Sequence, residues 1–171
     1  NKTGPFGRSV SSIEITYLKQ PDGGRFQVLV DGEPYRRVRT RARKTGLGVA
    51  TVRVPDGAHE VRLNVVGDGE VRLFGMVLER TRKPGVVVDS LGINGARATV
   101  LMQWDEALWT AQLKRRKPDL VILAYGTNEA GDTHVSVGRY EERLAAVLTR
   151  LKKAAPRASC VLIGPTDRPI K

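Results

Sequence analysis

The sequence has few of the side chains that disulfides and metal sites require. It contains one cysteine, Cys160, and two histidines, His59 and His134, in 171 residues. A single thiol excludes a disulfide within the chain, and no group of histidines and cysteines has the spacing of metal ligands. We therefore predict no metal site and no cofactor. Cys160 begins the apolar run 160–163, which predicts a buried thiol.

Long hydrophobic segments are also missing. No apolar run approaches the ~20 residues that a membrane helix needs, so no membrane span is predicted. The chain begins at Asn1 without a secretory leader, and we interpret it as a mature form or a fragment. Aromatic residues make up only 5% of the chain, so few side chains are available on which nucleic-acid bases could stack.

Positive charge is abundant, with a formal net charge of +11. Two basic clusters contribute to it, one at Arg36, Arg37, Arg39, Arg41, Arg43 and Lys44, the other at Lys114, Arg115, Arg116 and Lys117. Such a balance favours anionic partners, although clusters of this kind more often form a solvated face. Since the sequence carries no nucleic-acid-binding signature, we do not expect nucleic acid to be the partner.

The first half of the chain alternates apolar and polar residues with a period of two. Strand patterns occur at 13–18, 26–30, 52–54, 61–65 and 71–78, and turn sequences such as Asp31-Gly32 and Gly67-Asp68-Gly69 separate them. Short strands divided by such turns predict an antiparallel β-sandwich over residues 1–83. His59 falls in one of the connections and is interpreted as a surface histidine.

The pattern changes after Pro84-Gly85. Continuous apolar runs at 86–88, 120–124 and 161–163 predict buried strands. A helix is predicted over 97–116, with Trp104 and Trp109 on its inner faces and Pro118 at its end, and a second helix of ~18 residues follows Ser136 as N-cap. The order predicts an α/β fold with a doubly wound parallel sheet over 84–171.

Polar, glycine-bearing loops follow the first two of these strands. In open parallel sheets, sites gather where strands end, which here means residues 89–96 and 126–132. The backbone N–H of Gly95 and the side-chain amide of Asn128 are two donors that could stabilise one oxyanion. Alternatively, Gly95 only permits tight packing and Asn128 only caps a turn.

These loops resemble two sequence blocks of the SGNH (GDSL-like) hydrolases. Gly126-Thr127-Asn128-Glu129 resembles the third block, usually Gly-x-Asn-Asp, and residues 90–96 resemble the second, glycine-bearing block. The resemblance covers residues ~85–167 and implies a flavodoxin-like fold with an oxyanion hole at Gly95 and Asn128. Gly92 is the less favoured candidate for the glycine, and Glu129 departs from the usual aspartate.

A sandwich ahead of the glycine block resembles the peptidoglycan O-acetylesterase branch of the family, in which a carbohydrate-binding-like module interrupts the hydrolase domain. This resemblance implies a serine esterase that removes O-acyl groups, with O-acetyl the expected one, from a polysaccharide such as peptidoglycan. It also implies a polysaccharide partner and an extracytoplasmic location.

The nucleophile and the catalytic histidine of the family have no convincing counterpart. Gly7-Arg8-Ser9 is not Gly-Asp-Ser, and Asp132-Thr133-His134 has the wrong spacing for Asp-x-x-His. We therefore expect an interior fragment of a longer enzyme, inactive by itself. Two alternatives stay open: Ser90 is the nucleophile of a degenerate Gly-Asp-Ser-Leu block, or the protein binds carbohydrate on a remnant hydrolase scaffold without catalysis.

Overall fold

A computed structural model describes residues 7–81, 84–132 and 134–165. The chain divides into two compact units, Asn1–Val87 and Val88–Lys171. The sequence predicts two domains with a boundary between residues 83 and 84. That these domains fold separately stays a prediction.

The first unit consists of six strands in two antiparallel sheets. The strands are β1 (Val10–Lys19), β2 (Arg25–Val30), β3 (Glu33–Arg39), β4 (Gly46–Gly57), β5 (Val61–Val65) and β6 (Leu73–Glu79). One sheet has the order β4-β1-β6 and the other β3-β2-β5, and every pairing is antiparallel. The predicted antiparallel architecture of this half is therefore confirmed.

Both sheets contribute side chains to one hydrophobic core. Ile13 and Ile15 of β1 and Phe26 and Val28 of β2 are all 0% exposed. They alternate with polar or half-buried neighbours, as expected for strands with one covered face. Burying a side chain of this size contributes about 1.5–3 kcal/mol, so the period-two pattern accounts for much of the stability of this unit.

Strand β3 was not predicted from the sequence. Only Val38 of its seven residues is buried, so the strand has no apolar alternation and its arginines resemble a solvated segment. A hairpin turn places it beside β2: Asp31 has a φ of 54° and Gly32 a φ of 85°. Two successive positive φ angles match a type I′ turn, for which Asp-Gly is a preferred sequence.

The second unit contains helices and a small parallel sheet. Its elements are α1 (Val100–Gln103), α2 (Glu106–Arg116), β7 (Leu120–Ala124), a short 3-10 helix (Glu129–Gly131), α3 (Val137–Ala154) and β8 (Ser159–Ile163). Strands β7 and β8 pair in parallel, and α3 connects them. The β-α-β part of the prediction is confirmed, whereas a doubly wound sheet needs more strands than these two and stays a prediction.

Helix α3 carries the core of the second unit. It begins after Ser136, whose hydroxyl accepts a hydrogen bond from the N–H of Arg139 at 3.3 Å, as predicted for the N-cap. Val147 and Leu151 are buried against Leu101 and Leu123. No helix among the described residues is long and apolar enough to cross a membrane.

Trp104 and Trp109 pack against this same core. The guanidinium of Arg150 lies 4.9 Å from the ring centre of Trp109 and donates a hydrogen bond to the carbonyl oxygen of Trp104 at 2.6 Å. The two tryptophans therefore have a structural role in the second unit, in agreement with their predicted inner positions.

The first predicted strand of the second half is wrong. Residues 86–88 have no regular structure, and Val86 and Val88 are 92% and 83% exposed. A strand needs a neighbour to satisfy its backbone N–H and C=O groups, and among the described residues β7 and β8 pair only with each other. An apolar run by itself does not supply that neighbour.

Two further expectations need correction. The predicted helix 97–116 is two helices, because Trp104 is extended with a ψ of 147° and Asp105 caps a new helix by accepting the N–H of Leu108 at 2.8 Å. Cys160 is exposed, not buried. All five residues of β8 are exposed, because the described residues leave the faces of this apolar strand uncovered.

Candidate active site

The loop after β7 begins at a glycine that no other residue can replace without strain. Gly126 is buried and has a φ of 120°. A Cβ atom at this position would lie 2.9 Å from Cδ of Pro165, the second residue after β8. Close packing between the ends of the two parallel strands therefore determines where the loop 126–132 starts.

Gly95 lies in a turn ahead of α1. Its φ is 77°, in the left-handed region, and the N–H of Ala96 donates to the carbonyl of Ile93 at 3.1 Å to close the turn. Gly95 is exposed, and its N–H has no acceptor among the described residues. The backbone N–H that the sequence predicts as an oxyanion donor is therefore available to a ligand.

The side chain of Asn128 reaches back to the Gly95 turn. Its amide nitrogen donates to the carbonyl oxygen of Ala96 at 2.8 Å. An amide nitrogen carries two hydrogens, and this bond uses one of them. The residue is exposed, so the second hydrogen is accessible. The structure thus brings the two predicted site residues together at one end of the small sheet.

Glu129 connects the same two loops. One carboxylate oxygen accepts the N–H of Ala98 at 2.7 Å, and the other accepts the N–H of Gly126 at 3.1 Å. Burial raises the pKa of Tyr125 and Tyr140, and the negative charge of Glu129 adds to both shifts. The carboxylate of Glu129 therefore lies in a partly desolvated region. Its two hydrogen bonds connect the start of the loop 126–132 to the segment ahead of α1.

A bidentate ion pair provides a third connection. Nε of Arg97 donates to Oδ2 of Asp132 at 2.9 Å, and Nη2 donates to Oδ1 at 2.5 Å. Hydrogen bonding to Asp132 raises the pKa of Arg97. The roles of Arg97 and Glu129 were not predicted from the sequence. Both residues lie in or beside loops at strand ends, where carboxylates and arginines are common, and the sequence carries no further signal for them.

Ser90 lies in the exposed segment that precedes the Gly95 turn. Its neighbour Asp89 accepts hydrogen bonds from Nε and Nη2 of Arg116 at 2.8 and 3.2 Å. Among the described residues, no side chain is hydrogen-bonded to the Ser90 hydroxyl, and His134 is exposed in a turn. A serine needs a positioned base to act as a nucleophile, so the alternative at Ser90 stays a prediction.

His59 belongs to the first unit and has a structural environment. Its Nδ1 lies 2.6 Å from Oδ2 of Asp31, and its Nε2 lies 2.8 Å from the carbonyl oxygen of Pro55. Only the protonated ring donates from both nitrogens. The hydrogen bond to Asp31 raises the pKa of His59, and the bond to Pro55 adds to the shift. A ring held in this way does not serve as a general base.

No group of three histidine, cysteine, aspartate or glutamate side chains within 7–81, 84–132 and 134–165 could hold a metal ion. Cys160, an exposed free cysteine, lies at the start of β8 and lines a pocket together with Leu148, Lys152 and Pro156. Because β7 and β8 are parallel, this pocket is at the opposite end of the sheet from the Gly95 and Asn128 loops.

The chain matches the GDSL-like lipase/acylhydrolase family over residues 37–170. It belongs to that family, and the resemblance to SGNH (GDSL-like) hydrolases is confirmed. No curated protein matches the sequence.

One solved structure shares the fold of this chain. A peptidoglycan O-acetylesterase is similar over 90% of this chain, with 22% identity and a TM-score of 0.64. The chain spans 40% of the length of that protein. A family two carbohydrate esterase from Clostridium thermocellum, solved with cellohexaose, has 13% identity and a TM-score of 0.33, and the match covers 92% of this chain and 70% of the esterase.

Proposed function

We propose that this chain supplies the oxyanion-binding part of a serine esterase that removes O-acyl groups, with O-acetyl the expected one, from a polysaccharide. The observation that carries the proposal is the hydrogen bond from Asn128 to Ala96 at 2.8 Å. It supports a site in which the Gly95 N–H and the free amide hydrogen of Asn128 stabilise one developing negative charge. Membership of the acylhydrolase family supports the reaction class.

In the reaction that this family implies, a serine hydroxyl adds to the ester carbonyl while a histidine takes its proton. The carbonyl oxygen becomes an oxyanion, which is where the donors of Gly95 and Asn128 act. Collapse of the intermediate releases the sugar hydroxyl, which receives the proton from the histidine, and water then frees the acyl group as a carboxylic acid. Glu129, Arg97 and Asp132 position the donors without contacting the ester.

The likeness to a peptidoglycan O-acetylesterase suggests a polysaccharide such as peptidoglycan, and hence an extracytoplasmic location. We further propose that residues 1–83 form a carbohydrate-binding-like sandwich and 84–171 a partial hydrolase domain. Two sheets that share one core support the first assignment, and the parallel pair β7-β8 supports the second.

The experiment measures hydrolysis of p-nitrophenyl acetate by the complete gene product that contains these residues. Loss of one oxyanion donor typically lowers kcat by about 10²–10³. Asn128→Ala should have that effect with little change in KM, because the donor acts mainly in the transition state. Gln103→Ala, which removes an exposed amide side chain at the end of α1, is the control and should leave kcat unchanged.

The same assay on the 171-residue chain distinguishes the alternatives. We expect no turnover, because the proposed nucleophile and base are contributed from outside these residues. Turnover that Ser90→Ala abolishes would establish Ser90 as the nucleophile. If the complete gene product is retained on a polysaccharide column but hydrolyses no ester, the result would favour the hypothesis of a non-catalytic, carbohydrate-binding protein.

A further inference from the structure

The outer surface of the sheet β3-β2-β5 carries an unusual set of side chains. Phe26, Val28 and Val30 of β2 are buried, and their register partners belong to the covered face, because directly opposite residues in an antiparallel pair share a face. The other paired residues form the outer face, whose apolar members are Leu29 and Pro34. We call its charged and amide side chains the arginine face, which consists of Arg25, Gln27, Arg37, Arg39, Arg62 and Asn64.

The register arranges these side chains in rows across the strands. Arg37 is opposite Gln27, and Gln27 is opposite Asn64, so one row contains a guanidinium and two amides. The next row places Arg39 directly opposite Arg25. Like charges in directly opposite positions destabilise a sheet, so folding alone does not favour this arrangement.

The charges of the arginine face are only partly compensated. Arg25 pairs with Asp68 at 2.5 Å and Arg62 pairs with Glu60 at 2.7 Å. Arg37 contacts only the neutral side-chain oxygen of Gln27, at 3.4 Å. In the part of the chain that the structure describes, the side chains of Arg39 and Asn64 have no hydrogen-bond or ion-pair partner.

The chemistry of the set limits what it can bind. Guanidinium groups bind carboxylates with two parallel hydrogen bonds, and side-chain amides can bind hydroxyl groups. None of the six residues is aromatic, and the nearby Tyr35 donates its hydroxyl to the carbonyl of Arg53. The six residues themselves therefore offer no stacking for nucleic-acid bases or for the faces of neutral sugars.

We propose that the arginine face binds a carboxylate-bearing polysaccharide. Arg37 and Arg39, about 7 Å apart along β3, bind carboxylates, and the amides of Gln27 and Asn64 bind sugar hydroxyls. The proposal extends the proposed function, because it names the chemistry of the polysaccharide. Its test uses no ester hydrolysis, so either proposal can fail while the other stands.

The test measures binding of the 171-residue chain to polygalacturonate by isothermal titration calorimetry, with dextran as the neutral polymer and oligo-dT as the nucleic acid. Arg37→Gln with Arg39→Gln should weaken the affinity for polygalacturonate by about tenfold or more, since two charge-assisted contacts are lost. The matched control is Arg139→Gln with Arg143→Gln, which removes the same charge from exposed positions of α3 and should change affinity by less than about twofold.

Three results would overturn the proposal: equal losses in the two double variants, binding of dextran as tight as that of polygalacturonate, or tighter binding of oligo-dT at equal charge concentration. The last result would make nucleic acid the partner. If the Arg37 and Arg39 double variant loses its far-ultraviolet circular dichroism signal, Arg39→Gln alone takes its place, because the Arg39 side chain bonds to no described residue.

Discussion

Glu129 is the residue whose replacement tests most directly how the two site loops are held together. Its carboxylate accepts two backbone N–H groups, from Ala98 and Gly126, at 2.7 and 3.1 Å. Glu129→Gln preserves shape and one carbonyl oxygen but turns an NH₂ group toward the other N–H donor. A hydrogen bond to a charged group contributes about 1.5–3 kcal/mol, so we expect a loss of about 2 kcal/mol in unfolding free energy.

The assay is urea unfolding followed by tryptophan fluorescence. The two tryptophans of the chain, Trp104 and Trp109, both pack in the second unit, so the signal reports on that unit. Glu141→Gln is the matched control, because Glu141 is exposed on α3 and bonds to no described residue. Exposed substitutions of this kind change stability by less than about 0.5 kcal/mol. If the two variants differ by no more than that, the bridge does not stabilise the loops.

Two further predictions concern His59 and Gly126. Because Asp31 raises the pKa of His59, the stability from this pair is fully present below the unfolded pKa of about 6.5 and is lost as pH rises through the folded value. The midpoint of thermal unfolding, followed by far-ultraviolet circular dichroism, should fall over that range. Gly126→Ala should destabilise the second unit by about 1–3 kcal/mol in urea unfolding, because the new Cβ meets Pro165 at a φ of 120°.

Each of these predictions has its own control. His59→Asn should remove the fall in midpoint across the same pH range; an unchanged slope would show that another group causes it. Gly138→Ala adds a Cβ in the first turn of α3, where no atom outside the adjacent residues and the helix's own backbone lies within 4 Å, and should stabilise the unit by up to about 1 kcal/mol. Equal effects at Gly126 and Gly138 would contradict the role of the close approach to Pro165.

The strands of the first unit were largely predictable because their pattern is local. Ile13, Ile15, Phe26 and Val28 alternate with polar residues, and one covered sheet face requires that alternation. Strand β3 was missed because an edge strand with one buried residue has no such pattern. Its place depends on hydrogen bonds to β2, which the sequence does not display.

The second unit shows the opposite limit. The apolar run 86–88 has the composition of a buried strand but no strand beside it, and Cys160 is exposed on a strand with the same kind of composition. Composition predicts what a segment could bury, whereas burial itself requires neighbours from elsewhere in the fold. The break at Trp104 and Asp105 was missed because helical periodicity continued across a capping residue.

The sequence by itself determined five of the six antiparallel strands of the first unit, the β-α-β order of the second, the acylhydrolase family, and Gly95 and Asn128 as candidate oxyanion donors. These properties depend on residue type and spacing along the chain. Only the tertiary structure decided that Asn128 reaches the Gly95 turn and that Glu129 and Arg97 link the two loops. Hydrogen bonds between residues about thirty positions apart depend on how the strands and helices pack, and local sequence patterns contain no record of that packing.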